Sequence, residues 1–144
     1  MTIEGKGGYI LLIKLPDEQA ITVGSLKVIN FPRGYYAYVG SALGGFKPRL
    51  NRHLRKDKKP QWHIDYLLQK ASITNIVLGQ GEDRIECAIA QALSRQFDSV
   101  TGFGCSDCQC RSHLFFSTDA AQLKSNVMAT IKQLDVRLSV LSLF

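Results

Sequence analysis

The segment Gly8 to Leu15, GYILLIKL, is short, apolar and rich in strand formers, and Pro16-Asp17 closes it. Ser25 to Phe31 (SLKVINF) alternates, and Pro32-Arg33-Gly34 turns the chain into Tyr35 to Val39 (YYAYV). These three segments predict an antiparallel three-stranded unit near the N-terminus. A glycine-rich link, Gly40 to Gly45, leads to a helix that starts beside Pro48, a residue tolerated in a first turn. In that helix Phe46, Leu50 and Leu54 recur every four residues and predict one buried stripe. Arg49, Arg52, His53 and Lys56 share another face.

Downstream, Gln61 to Lys70 suits a second helix, and Ile73 to Leu78 a strand ended by Gly79-Gln80-Gly81. Arg84 to Phe97 reads as a third helix, with Ile85, Ile89, Leu93 and Phe97 on one side. Gly102 to Ser112 is an irregular, cysteine-bearing loop leading into a short strand, His113 to Phe116. Ser117 or Thr118 suits the cap of a last helix to about Leu134, in which Leu123, Val127 and Ile131 repeat at four. Leu138 to Phe144 alternates enough for a final strand. With no repeat or linker in view, the expectation is one α+β domain over residues 1–144. Its centre would be a mainly antiparallel sheet of three or more strands flanked by helices.

Composition narrows the class. With 144 residues, 45% hydrophobic and 21% charged, the chain is of single-domain size and unlike a disordered or fibrous one. No apolar run approaches the roughly 18 residues of a membrane span, so no membrane partner is expected. The opening Met1 to Lys6 lacks the basic start and apolar stretch of a secretory signal, which predicts a cytoplasmic protein. Its four cysteines then read as reduced thiols or metal ligands before disulfides.

The charge is concentrated. Lys47, Arg49, Arg52, Arg55, Lys56, Lys58 and Lys59 stand within 13 residues against one acid, Asp57, so this block accounts for the whole net charge of +6. Such a block is the footprint of a phosphate-rich partner, or else a solvated helix face that aids solubility.

Two glycine-flanked tripeptides line up with it. Gly7-Gly8-Tyr9 opens the first strand, and Tyr38-Val39-Gly40 ends the last strand of the N-terminal unit. Arg49 and His53 follow on one helical face, and Glu86 stands near the start of a later helix. This order resembles the GIY-YIG nuclease superfamily. Tyr38 to Gly45, Trp62 to Leu67 and Gly102 to Cys108 resemble more narrowly its Uri-type branch, bacterial and archaeal proteins sometimes fused to an endonuclease III-type glycosylase. Gly8 stands where an apolar residue is usual. The 28-residue spacer from Ile10 to Ala37 exceeds the superfamily norm and implies an added strand.

The resemblance implies a metal-dependent endonuclease acting on DNA, less so on RNA, with a repair role and a repair-protein partner. Hydrolysis of a phosphodiester needs an activated water, neutralised phosphoryl charge and a stabilised leaving oxygen. Glu86 suits a hard cation, Mg²⁺ or Mn²⁺, although Asp83 and Glu86 also have the spacing of a capping box. Arg49 offers a bidentate fork to phosphate. Tyr9 would be the general base, with Tyr38 and His53 positioning or relaying. With a free pKa of roughly 10, Tyr9 needs cationic or metal neighbours to deprotonate. Lys47, Arg52, Arg55, Lys56, Lys58, Lys59 and His63 are candidate nucleic-acid contacts. The alternative is a non-cleaving nucleic-acid-binding module with the same fold.

Cys105, Cys108, Cys110 and His113 form C-x2-C-x-C-x2-H, a donor set matching tetrahedral Zn²⁺. Structural sites more often draw ligands from two separated pieces of chain, and Asp107 competes here. Reduced thiols in a loop, with His113 facing nucleic acid or the core, are the preferred reading. Cys87, next to Glu86, reads as a small buried residue.

Overall fold

A computed structural model describes residues 4–105 and 109–143, so Cys108 lies outside the described residues. β1 (Gly7–Leu15) leads into a two-stranded antiparallel ribbon, β2 (Gln19–Thr22) with β3 (Val28–Phe31), and then β4 (Gly34–Ala42). α1 (Phe46–Leu54), α2 (His63–Leu68), β5 (Ser72–Gln80) and α3 (Glu86–Ser94) follow. The chain closes with β6 (Asp98–Ser99), β7 (Leu114–Ser117), α4 (Ala120–Lys132) and β8 (Arg137–Ser142). One six-stranded sheet has the order β6-β7-β4-β1-β5-β8, antiparallel throughout. The α+β class expected from the sequence is the class observed.

β1 owes its apolar run from Tyr9 to Ile13 to its central place. Side chains alternate across a strand, and here both faces are covered. Tyr9, Leu11, Ile13 and Leu15 enter a core closed by Phe46 and Leu50 of α1 and Ile64 and Leu67 of α2. Ile10 and Leu12 enter another, closed by Ile89 and Leu93 of α3 and Leu123, Val127 and Ile131 of α4. Each fully buried aliphatic side chain contributes about 1.5–3 kcal/mol, so the two layers clamp β1 from both sides.

The expected N-terminal three-stranded unit does not exist as such. β4 pairs with β1 along its whole length, from Gly7–Ala42 to Leu15–Gly34, whereas β3 pairs with β2 in a separate ribbon. The long spacer therefore holds two added strands, of which QAIT is too short and mixed to register in a sequence pattern. The ribbon contributes Ile21 and Phe31 to the core on the α1 side. In α1 the stripe is also turned: Leu54 is 37% exposed, and His53, at 2%, is buried with Phe46 and Leu50. α3 begins at Glu86 with Ile85 as its N-cap. The last helix is capped by Asp119, not by Ser117 or Thr118, through a 3.0 Å bond accepted from the Gln122 N–H. Among the described residues no helix is long and apolar enough to cross a membrane.

Candidate active site

The two tripeptides meet in the β1–β4 ladder, where Tyr9 lies directly across from Gly40. The Tyr9 phenol turns over Gly40, and a Cβ at that position would overlap it. Glycine is needed there for space. At Gly8 a Cβ would come within 2.8 Å of Ile85 Cγ1. Gly8 therefore lets the cap of α3 press onto β1, which brings Glu86, the next residue, to the mouth of the site.

These elements enclose an open cleft of about 620 Å³ whose walls include Tyr9, Tyr38, Arg49, His63, Glu86 and His113. His53 sits behind Tyr9, with its Nε2 2.7 Å from the Tyr9 hydroxyl. Burial, with the Lys58, Arg49 and Arg52 charges and against that of Asp65, holds the His53 pKa down to about 4. The ring is thus neutral at pH 7. Its Nδ1 is buried with no hydrogen-bond partner among the described residues. A buried donor left unpaired is rarer than an under-used acceptor, so we assign the proton to Nε2, donating to Tyr9. The phenolic hydrogen of Tyr9 is then directed elsewhere, toward the cleft.

Burial pushes the Tyr9 phenol well above its ordinary range, while Arg49 pulls it down by its charge and a side-chain hydrogen bond, and Glu86 pushes it up. The cationic neighbour expected from the sequence is present, yet burial outweighs it in this structure. Tyr38 is raised as well, by burial first and then by Tyr9 and Glu86. Both phenols are protonated at neutral pH.

Glu86 is the one carboxylate lining the cleft among the described residues. It stands two residues beyond the exposed Arg84, whose Nη1 is 3.3 Å from Oε1. Its Oε2 is 4.0 Å from His113 Nδ1. The capping-box alternative fails, because Asp83 lies two residues before the N-cap and no side chain caps α3. The carboxylate is therefore not committed to helix N–H groups. Mg²⁺ and Mn²⁺ keep several waters and need only one or two protein carboxylates, so this donor set fits such an ion.

Trp62, at the start of α2, carries two guanidinium groups: Arg52 Cζ lies 4.0 Å and Arg49 Cζ 4.7 Å from its ring centroid. Arg52 is further held by the fully buried Asp65 carboxylate, in a two-pronged bond of 2.9 and 2.8 Å. Asp65 also accepts the Gln61 and Trp62 N–H groups at 2.9 Å each. Arg52 is thus a bracing residue here and does not line the cleft. Trp62, Asp65 and Arg84 had no assigned role in the sequence. The run Trp62 to Leu67 was the available signal, together with an acid three residues after an aromatic at a helix start.

Of the other expected nucleic-acid contacts, His63 lines the cleft and its Nδ1 accepts the Gly104 N–H at 2.8 Å. Lys47, Arg55, Lys56 and Lys59 are exposed outside it. Lys58, beyond the end of α1, is turned back onto that helix, donating to the carbonyls of Arg52, His53 and Arg55 at 2.9, 3.1 and 2.6 Å. This is a cationic cap on the C-terminus of α1. In the cysteine loop the donors group differently from the sequence pattern. Cys110 and His113 lie with Cys87 of α3, not with Cys105, and Cys108 is outside the described residues.

A family model described as a domain of unknown function, DUF123, matches residues 8–136. Neither the curated proteins nor the solved structures contain a match to the chain.

Proposed function

The chain belongs to the DUF123 family, a GIY-YIG-like family, and we propose that it is a metal-dependent endonuclease that hydrolyses phosphodiester bonds in DNA. We place it in the Uri-type branch on the runs Tyr38 to Gly45, Trp62 to Leu67 and Gly102 to Cys108. The observation that carries the proposal is the convergence of Tyr9, Tyr38, Arg49 and Glu86 on one cleft, with His53 hydrogen-bonded behind Tyr9. A module that only held phosphate would have no use for a carboxylate facing a tyrosine pair.

Each residue has a chemical part. Glu86 would hold Mg²⁺ or Mn²⁺, and the ion would supply Lewis-acid stabilisation of the leaving oxygen. Arg49, held over Trp62, offers its fork to the phosphoryl oxygens. Tyr9 gives its own proton to solvent water in the open cleft, and the resulting phenolate then takes the attacking water's proton, which returns it to the neutral phenol. The His53 N–H and Arg49 both stabilise the phenolate that this requires. Tyr38 flanks His53, ring centroids 6.1 Å apart, and fixes its plane. A role in DNA repair, with a partner that supplies targeting, suits a cleft this small.

A nicking assay on plasmid, flap and branched DNA with Mg²⁺ or Mn²⁺ tests this. Cutting should require the ion, and Glu86→Ala and Arg49→Ala, shown to be folded, should abolish it. Full activity in Glu86→Ala would overturn the assignment of the ion. DNA binding with no cutting of any substrate would leave the non-cleaving module as the answer.

A further inference from the structure

We propose that Cys87, Cys110 and His113 form a zinc site that ties the start of α3 to the segment entering β7. The donor atoms of the three residues all lie within 4.8 Å of one another. They come from two separated pieces of chain, the second residue of α3 and the run before β7. The single-loop reading lacked this arrangement. His113 is buried and both cysteines are half-buried, so the cluster is shielded from bulk water yet within reach of an entering ion.

The geometry and the donor chemistry agree. Bond lengths of about 2.3 Å to sulfur and 2.0–2.1 Å to nitrogen set tetrahedral donors roughly 3.5–3.8 Å apart. Side-chain rotations that close the cluster by about 1 Å reach those separations. Two thiolates with an imidazole favour zinc over the hard cation suited to Glu86, so the two sites would not compete for one metal. His113 is also hydrogen-bonded to the Val39 backbone. A ligating histidine usually has such an outer partner, which orients the ring and presents the other nitrogen to the ion. Water completes the shell, as in zinc sites with three protein ligands.

The consequence falls on Glu86. It precedes Cys87 in the chain, and its Oε2 is 4.0 Å from His113 Nδ1. An ion holding Cys87 and His113 together fixes the first turn of α3 and with it the carboxylate that faces the cleft. The zinc is a clamp in this role. Its existence does not depend on the nuclease reading.

The test uses the full chain, reduced and stripped with a chelator, then titrated with Co²⁺ and afterwards Zn²⁺. One equivalent of Co²⁺ should bind with tetrahedral visible bands and thiolate-to-cobalt absorption, both removed by Zn²⁺. Cys87→Ser and Cys110→Ser should each weaken binding by roughly tenfold or more, whereas Cys105→Ser should leave it unchanged. Because a serine variant can misfold, the unmutated protein provides a second readout. Zn²⁺ should slow alkylation of Cys87 and Cys110, followed by mass spectrometry, while Cys105 reacts at its metal-free rate. No stoichiometric cobalt signal, or protection of Cys105 equal to that of Cys87, would overturn the site.

Discussion

Tyr9 and His53 approach from different elements, the central strand and the last turn of α1, and join through one buried 2.7 Å hydrogen bond. That bond makes the neutral imidazole part of both the fold and the site. Its cost is acid sensitivity.

The first prediction concerns pH. The His53 pKa is about 4 in the fold and about 6.5 in an unfolded chain. Between these values the unfolded chain takes up a proton that the fold refuses, so stability rises with pH through this window. The limiting slope from one such group is about 1.4 kcal/mol per pH unit. His63 and His113, both lowered by burial, act with the same sign. Urea midpoints measured from pH 4.5 to 7.5 should climb, and His53→Gln should flatten the climb. An equal slope in wild type and variant would contradict it.

Arg52→Met should destabilise the protein by about 3 kcal/mol, because it leaves the fully buried Asp65 carboxylate without its counter-ion. Burial pushes the Asp65 pKa up, but the Arg52 fork and the Gln61 and Trp62 amides more than reverse this and hold it below the usual carboxylate range. The pair's contribution is therefore present above the unfolded pKa and lost as pH falls through the lower folded one. Without Arg52 the upward push is less opposed, so the acid limb of unfolding should move to higher pH. Circular dichroism during an acid titration measures that shift.

Gly40→Ala should cost about 1–3 kcal/mol, the range for overpacking, since the new Cβ would overlap the Tyr9 phenol. Gly44→Ala is the matched control in the same link. Nothing lies within 4 Å of its added Cβ, so its melt should stay within about 0.5 kcal/mol of wild type. The two melts together separate crowding at Tyr9 from a general need for glycine.

How much of this was legible in the sequence depended on whether the signal was local. β1, β4 and β5 showed as apolar runs, and α4 as a four-residue repeat, because their burial follows from their own spacing. In α1 Leu54 continues the repeat, while His53 is buried by the rings of Tyr9, Tyr38 and Trp62, which come from other elements. β6 has two residues and depends wholly on its partner β7. The site behaved the same way. Tyr9, Tyr38, Arg49 and Glu86 carry motif positions and were nameable, whereas the Asp65–Arg52 pair and the grouping of Cys87 with Cys110 and His113 join residues distant in the chain.

The basic block supplies the last prediction, because its charges are not equivalent. Lys58 donates to three carbonyls at the end of α1, while Lys56 is exposed with no such bond among the described residues. Phosphate contacts appear as salt dependence, about 0.9 in the log-log slope for each contact on duplex DNA. Lys56→Ala should lower the slope by about that amount and leave the melt unchanged. Lys58→Ala should do the reverse, keeping the slope and losing about 1 kcal/mol as the helix end loses its cap. Binding isotherms at several salt concentrations, run beside thermal melts, read both quantities. An equal slope change for the two lysines would mean that Lys58 leaves its carbonyls when DNA arrives and would refute its assignment as a cap.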